Sequence, residues 1–259
     1  MNAIRSYGAQ LRVAKPTQNY MTIELELSKE HPDWFSVNQY ECHLNSAAHF
    51  TGTGTEIYEQ TRGLITHFVA GASTGGTITG VGRYLKKQRP STRVVLADPA
   101  GSIFNFMLSK KMTETEAAPH TKKFLVEGVG KRSVPGVFDL QVVDHVLEVT
   151  DKEAFQMCRR LACSEGLCVG GSSGMNVHAG VELAKQLVEF EGATGKSAGA
   201  PEPLQDVTPE AGDTLQPNQA NEIVNFGPDD PVVIVTILSD SGLKCVHTPW
   251  QRQQHGFAC

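Results

Sequence analysis

Short apolar runs along this chain alternate with segments in which apolar residues recur every three or four positions. The runs that predict buried strands are 9–14, 64–70, 93–98 and 231–238. The periodic segments that predict helices include 77–87 and 174–190. This alternation is typical of an α/β fold, in which a mostly parallel sheet carries helices on both faces.

The ends of one further helix are predicted by local signals. Thr150 and Glu153 have the spacing of a capping box, which satisfies backbone N–H groups of the first helical turn. Gly166 is the residue type expected just beyond the last turn. For the helix at 174–190, the periodicity predicts an inward stripe of Val177, Val181, Ala184 and Leu187 or Val188.

Composition divides the chain into three parts. Residues 1–190 carry the α/β pattern, and residues 191–231 are rich in Gly, Pro, Ala, Asn and acidic side chains without periodicity. The second part predicts a flexible insertion loop. Residues 232–259 are expected to supply a final core strand and a polar C-terminal tail.

Charge and hydropathy exclude several classes of partner. The formal net charge is -5, with no basic stripe, which argues against nucleic acid and anionic membranes as partners. No apolar stretch approaches the roughly 20 residues needed to span a bilayer, and Met1–Ser6 lacks a signal-peptide core. The six cysteines have no zinc-like spacing, so no metal site is predicted. We expect a cytoplasmic protein.

Two glycine-rich turns carry the candidate chemistry. The strand at 64–70 runs into Gly71-Ala72-Ser73-Thr74-Gly75-Gly76-Thr77 and then directly into a helix, which is the geometry of a phosphate cradle. A second turn, Gly170-Gly171-Ser172-Ser173-Gly174, also opens a helix. Ligands of α/β sheets bind beyond the carboxyl ends of the strands, so both turns are expected to face one small molecule.

Three interpretations of these turns are open from the residues themselves. A dinucleotide site would use the first turn as a degenerate Gly-x-Gly-x-x-Gly with Asp98 on the ribose. A serine hydrolase would use Ser172 in Gly-x-Ser-x-Gly as nucleophile, with Asp240 and His247 or His255. The third interpretation is a pyridoxal phosphate site.

The third interpretation is supported by a resemblance along most of the chain. The sequence resembles the cysteine synthase and cystathionine β-synthase family, the fold-type II pyridoxal phosphate enzymes. The segments that carry the resemblance include Asn38-Gln39-Tyr40, His49-Phe50, Ser73-Thr74-Gly75-Gly76-Thr77, Val126-Glu127-Gly128-Val129-Gly130, Gly170-Gly171-Ser172-Ser173-Gly174 and Ile237-Leu238-Ser239-Asp240-Ser241. They follow the family order and cover nearly all of the chain outside 191–231 and the tail.

The resemblance implies a role for particular residues. Ser73, Thr74, Gly75, Gly76 and Thr77 would hold the phosphate of pyridoxal 5'-phosphate. Ser73 replaces a family glycine, which is tolerated if its backbone angles are ordinary. Ser172 would bond the pyridine nitrogen, Ser173 would cap the following helix, and Gln39 would lie near the substrate carboxylate. The implied reaction is β-replacement on serine or O-acetylserine giving cysteine or cystathionine, by a homodimer acting on a small amino acid.

One family feature is missing from this sequence. The Schiff-base lysine stands in Ser-x-Lys-Asp-Arg in the family, and none of the thirteen lysines here has that context. No catalytic residue is therefore assigned, and we expect an N-terminally truncated member with a sheet incomplete at its N-terminus. An inactive, cofactor-binding pseudoenzyme or fragment remains an alternative to the active enzyme.

Overall fold

A computed structural model describes residues 2–15, 17–194 and 232–241. The chain divides into two compact units, Met1–Gln39 and Tyr40–Cys259, each described here by itself. No helix among the described residues combines the length and the apolar character that crossing a bilayer requires.

In the first unit, the residues that the structure describes form two helices, α1 (Asn2–Ser6) and α2 (Tyr20–Glu30). Asn19 caps α2 by accepting a hydrogen bond from the backbone N–H of Met21 at 2.9 Å. The strand predicted at 9–14 is absent, so that prediction was wrong. A strand exists only when a neighbour completes its ladder of N–H and C=O groups, and the described part of this unit contains no second strand.

The second unit alternates strands and helices as the pattern predicts. Its elements up to the third strand are α3 (Leu44–Ala48), a π-helical turn (His49–Thr53), α4 (Gly54–Gln60), β1 (His67–Gly71), α5 (Gly76–Gln88), β2 (Arg93–Pro99), α6 (Ile103–Leu108), α7 (Glu114–Ala117), two 3₁₀ turns (Ala118–His120 and Leu140–Val142) and β3 (His145–Val149). They are followed by α8 (Asp151–Glu165), α9 (Gly171–Thr194) and β4 (Ile234–Thr236).

The four strands among the described residues of this unit form one parallel sheet in the order β3-β2-β1-β4. Phe68 of β1 is aligned with Val94 of β2 on one side and with Val235 of β4 on the other. Because all the strands point the same way, their carboxyl ends share one edge. The loops that begin at Gly71 and Pro99 therefore leave the sheet on the same side.

Alternate side chains of the strands supply two cores, one on each face of the sheet. Phe68 and Leu96 pack on one face with α5 residues such as Leu85. Val69 and Val95 pack on the other face with α8 and α9. The prediction of a mostly parallel sheet with helices on both faces is confirmed.

The helix ends were predicted better than the helix faces. The Thr150 and Glu153 capping box is present, and Gly166 ends α8 in a left-handed conformation. The predicted inward stripe of α9 is confirmed only at Leu187, because Val177, Val181 and Ala184 are only partly buried and Val188 is exposed. The fully packed positions of this helix are Met175, Ala179, Leu183 and Leu187.

Candidate functional site: a phosphate cradle at the sheet edge

The loop between β1 and α5 lies at the carboxyl edge of the sheet. Gly75 precedes the first residue of α5 and has a φ of 78°, in the left-handed region. A Cβ at this position would overlap the ring of Phe138, so only glycine fits. Ser73 is not among the non-glycine residues with positive φ in the described chain, so replacing the family glycine there introduces no strain of that kind.

Asn45 of α3 supports the loop from one side. Its Nδ2 donates to the Thr74 Oγ1 at 3.0 Å, and the backbone N–H of Gly76 donates to the same oxygen at 3.3 Å. A hydroxyl offers two lone pairs and one proton. Both bonds use lone pairs, so the Thr74 hydroxyl keeps its proton for a further acceptor.

His49 supports the loop one helical turn further along. Its Nε2 lies 3.1 Å from the Thr77 Oγ1, and its Nδ1 lies 2.9 Å from the Thr53 Oγ1. Burial lowers the pKa of His49 below its ordinary value, which favours the neutral ring with one donor and one acceptor nitrogen. His49 thus links the cradle to the π-helical turn that contains both it and Thr53.

Close approach of two helices makes this support possible. A Cβ at Gly80 of α5 would overlap the carbonyl oxygen of Ser46 and lie 2.7 Å from the Cβ of His49. Glycine at this position lets α3 and the π-helical turn reach the first turns of α5. As a result, Asn45 contacts Thr74, and His49, four residues after Asn45, contacts Thr77, three residues after Thr74.

These residues fit a phosphate group. The start of a thirteen-residue helix supplies backbone N–H groups and a positive dipole end, and the hydroxyls of Ser73, Thr74 and Thr77 add neutral donors. Gly75 has no side chain, so the space inside the turn stays open. The loop itself carries no acidic side chain to repel an anion.

The second turn belongs to a helix rather than to a loop. Helix α9 begins at Gly171, three residues earlier than predicted, so Ser172 and Ser173 lie in its first turn. Ser172 is 8% exposed and Ser173 is fully buried. The prediction that Ser173 caps α9 was wrong. Its hydroxyl points instead to the Asp240 Oδ1 at 3.5 Å.

Asn176 joins the two turns. Its Oδ1 accepts a hydrogen bond from the backbone N–H of Gly71 at 2.8 Å, and its Nδ2 donates to the carbonyl of Ile237 at 2.9 Å. Gly71 begins the phosphate loop, and Ser172 lies one helical turn before Asn176. The two turns therefore lie side by side, as expected. Gln39 is the last residue of the first unit.

Sequence reasoning missed the supporting residues of the site. Asn45, His49 and Asn176 each contact a backbone or side-chain group remote in the chain, which no local pattern reports. Asn176 had one available signal, since it is a polar residue next to the buried Met175 on a largely apolar helix. It is 2% exposed, and a buried amide of this kind is expected to be fully hydrogen-bonded.

The structure can also be compared with the two other interpretations, the dinucleotide site and the serine hydrolase. Asp98, the proposed ribose ligand, is completely buried, and its Oδ2 accepts from the backbone N–H of Asn105 at 2.9 Å, so it is not available to a dinucleotide. Ser172 lies within a helix rather than on an exposed strand-to-helix elbow, and it is Ser173 that faces Asp240. His247 and His255 lie outside the described residues.

Comparison with known sequences gives a consistent result. The family described as pyridoxal-phosphate dependent enzyme matches residues 1–193. Cystathionine beta-synthase of Oryctolagus cuniculus is 36% identical over 196 residues, covering 73% of this chain and 34% of that protein. Cysteine synthase 2 of Schizosaccharomyces pombe is 40% identical over 161 residues, covering 59% of this chain and 41% of that protein. The chain thus spans between about a third and two fifths of these relatives.

Solved structures agree with the fold. The crystal structure of O-ureido-L-serine synthase matches with a TM-score of 0.71 and 25% identity, covering 99% of this chain and 66% of that one. O-acetyl serine sulfhydrylase isoform 3 from Entamoeba histolytica matches with a TM-score of 0.71 at 24% identity, which bears on the fold alone. With the family match over residues 1–193, these similarities establish that the chain belongs to the pyridoxal-phosphate dependent enzyme family.

Proposed function

We propose that this chain provides the phosphate and pyridine contacts of a pyridoxal phosphate site for β-replacement on serine or O-acetylserine, giving cysteine or cystathionine. The observation that carries the proposal is the cradle at Ser73–Thr77, closed by Gly75 and supported by Asn45 and His49. When bound, the cofactor supplies an electron sink for bond changes at the α- and β-carbons of an amino acid.

Each residue of the site then has a distinct task. The N–H groups at the start of α5 and the hydroxyls of Ser73, Thr74 and Thr77 bind the phosphate dianion. Ser172 bonds the pyridine nitrogen through a neutral hydroxyl. A hydroxyl favours protonation of that nitrogen less than a carboxylate would. Gln39 contacts the substrate carboxylate.

The absence of the family's lysine motif bears on the proposal. None of the thirteen lysines stands in the Ser-x-Lys-Asp-Arg context, so no residue of this sequence is assigned to move the α-proton. This observation favours a second candidate function, a cofactor-binding protein without its own turnover. Both functions require the same phosphate cradle. We also propose a cytoplasmic location and a homodimer.

Cofactor binding is tested with a ligand that cannot react with surface lysines. Pyridoxine 5'-phosphate lacks the aldehyde, and pyridoxine lacks the phosphate as well. We expect the first to raise the melting temperature of the purified chain and the second to leave it unchanged. Thr77→Val should remove most of this stabilisation, whereas Thr121→Val, on a part-buried turn far along the chain, should not. Equal responses to the two ligands would refute the proposed cradle.

A further inference from the structure

The ring of His49 lies between two threonine hydroxyls and, when neutral, can donate to only one of them. Its Nε2 is 3.1 Å from the Thr77 Oγ1 in the cradle, and its Nδ1 is 2.9 Å from the Thr53 Oγ1. Burial lowers the pKa of His49 and so favours the neutral ring, which carries a single proton. The tautomer of His49 therefore decides which hydroxyl accepts a proton and which one donates.

The hydroxyl of Thr53 differs from those of the neighbouring threonines. Thr51, Thr55 and Thr61 each donate to the backbone carbonyl four residues earlier, at 3.1, 3.2 and 2.8 Å. The carbonyl four residues before Thr53 accepts a backbone bond of the π-helical turn instead. In the part of the chain that the structure describes, the Thr53 hydroxyl bonds only the Nδ1 of His49. Nδ1 is thus the acceptor for the Thr53 proton, which leaves the ring proton on Nε2.

The Nε2–H tautomer keeps the proton of Thr77 available for a ligand. In this tautomer Thr77 accepts from His49, so its own proton can be donated to an anion. In the other tautomer Thr77 would donate to Nε2 and present only lone pairs, which repel a phosphate oxygen. The Thr74 hydroxyl has the equivalent arrangement, since Asn45 and the N–H of Gly76 both donate to it. Both cradle threonines then keep a proton for the phosphate.

We propose that Thr53 is a positioning residue of the phosphate site, which holds His49 in the Nε2–H tautomer and thereby makes the Thr77 hydroxyl a donor to the phosphate. The inference rests on the proposed function, because it takes the cradle as the place of the cofactor phosphate. No hydrogen bond among the described residues joins Thr53 to the cradle itself, so Thr53 acts through the ring of His49.

The tautomer can be measured directly on the chain labelled with ¹⁵N-histidine, because protonated and unprotonated ring nitrogens have well-separated chemical shifts. The chain is saturated with pyridoxine 5'-phosphate at about pH 8, above the ordinary histidine pKa. Loss of signals in His49→Gln assigns the ring of His49. We expect Nε2 protonated and Nδ1 unprotonated in the wild-type chain, and a mixture of both tautomers in Thr53→Val. Protonation of Nδ1 in the wild-type complex, whether or not Nε2 is also protonated, would overturn the proposal.

Calorimetry with pyridoxine 5'-phosphate tests whether the tautomer matters to the cradle. Thr53→Val should weaken binding about fivefold, the value of one neutral hydrogen bond, and Thr53→Ser should retain the wild-type affinity. The matched control is Thr51→Val, at an exposed threonine of the same π-helical turn, and it should change nothing. In His49→Gln, the amide N–H can donate to Thr77 without help from Thr53. Adding Thr53→Val to that variant should therefore cost no further affinity.

The outcomes separate this inference from the proposed function. A wild-type chain that does not bind pyridoxine 5'-phosphate overturns both. Normal binding of pyridoxine 5'-phosphate, with equal affinities for the wild type and Thr53→Val, overturns the role of Thr53 alone. An equal loss from Thr53→Val in the wild-type and His49→Gln backgrounds does the same, because it shows that Thr53 stabilises the turn and does not direct the ring.

Discussion

The side-chain amide of Asn176 and the backbone N–H of Gly71 form a hydrogen bond of 2.8 Å across 105 positions of the chain. This bond fixes the first turns of α9 against the point where β1 becomes the phosphate loop. The same amide reaches the carbonyl of Ile237, so one side chain holds three segments together. The two glycine-rich turns lie next to each other because Asn176, 2% exposed, bonds the start of the first turn from the helix that contains the second.

Replacing Asn176 should therefore be costly. Asn176→Ala leaves the N–H of Gly71 and the carbonyl of Ile237, both partly buried, without this partner, at about 1–3 kcal/mol for each group. We expect a loss of roughly 2–4 kcal/mol in the free energy of unfolding, measured by urea denaturation. Gln186→Ala, at an exposed position of the same helix, is the control and should change stability little. Similar stabilities of the two variants would contradict the role given to Asn176.

Gly75 offers a test in which backbone strain and steric overlap are separated. Gly75→Ala suffers both a φ of 78° and an overlap with Phe138, whereas Gly128→Ala suffers a φ of 77° in open space. We expect about 1 kcal/mol of destabilisation at Gly128 and at least about 2 kcal/mol at Gly75. Only Gly75→Ala should also lose affinity for pyridoxine 5'-phosphate. Equal losses of stability would mean that Phe138 does not confine the turn.

The two serines of α9 should respond differently to alanine. Ser172→Ala would remove the proposed neutral hydrogen bond to the pyridine nitrogen and should weaken pyridoxal phosphate binding by about 1 kcal/mol, or roughly fivefold. Ser173→Ala should lower stability through Asp240 and leave that affinity nearly unchanged. Fluorescence titration measures both affinities. Loss of esterase turnover in Ser172→Ala would instead support the serine hydrolase interpretation.

Stability should depend on pH through two buried groups with opposite effects. Burial raises the pKa of Asp98 from 3.8 to about 7, with the Glu148 carboxylate adding to the rise, so its stabilising contribution is complete below about pH 4 and is lost as the pH rises through about 7. Burial, followed by the Arg93 charge, lowers the pKa of His67 from 6.5 to about 4, so its contribution is present above pH 6.5 and is lost as the pH falls towards 4.

Asp98→Asn isolates these contributions. In this variant, stability should no longer decrease as the pH rises from about 4 to 7. It should still decrease as the pH falls towards 4, because His67 is unchanged. Its unfolding free energy should therefore rise between pH 5 and 7 more steeply than that of the wild type, by an amount on the order of 1–3 kcal/mol. Urea midpoints at the two pH values give the measurement, with the exposed Glu127→Gln as the control. Parallel pH profiles for wild type and Asp98→Asn would show that Asp98 titrates normally.

The 259-residue sequence should show no β-replacement on its own. Without an assigned lysine, the loss of the covalent and proton-transfer group is expected to lower the rate by several orders of magnitude. The assay follows cysteine from O-acetylserine and sulfide, and cystathionine from serine and homocysteine, at saturating pyridoxal phosphate. A known cysteine synthase serves as the positive control. Turnover above the rate of free cofactor would contradict the expectation and point to another base within this chain.

The sequence by itself determined the features that depend on near neighbours. Strand alternation, the Thr150 and Glu153 capping box, the Gly166 end and the loop at Ser73–Thr77 are local, because their hydrogen bonds and backbone angles involve residues a few positions apart. The family resemblance extends this information to Ser172 and Gln39. None of it describes what supports the loop.

The tertiary structure decided the rest, because those features arise only between remote segments. The residues at 9–14 have strand-like sequence but form no strand, since pairing needs a neighbour and not a propensity. Ser173 is directed to Asp240 by packing that the Gly-x-Ser-x-Gly pattern does not contain. Asn45, His49 and Asn176 became part of the site only when the folding of the sheet brought their helices to its carboxyl edge.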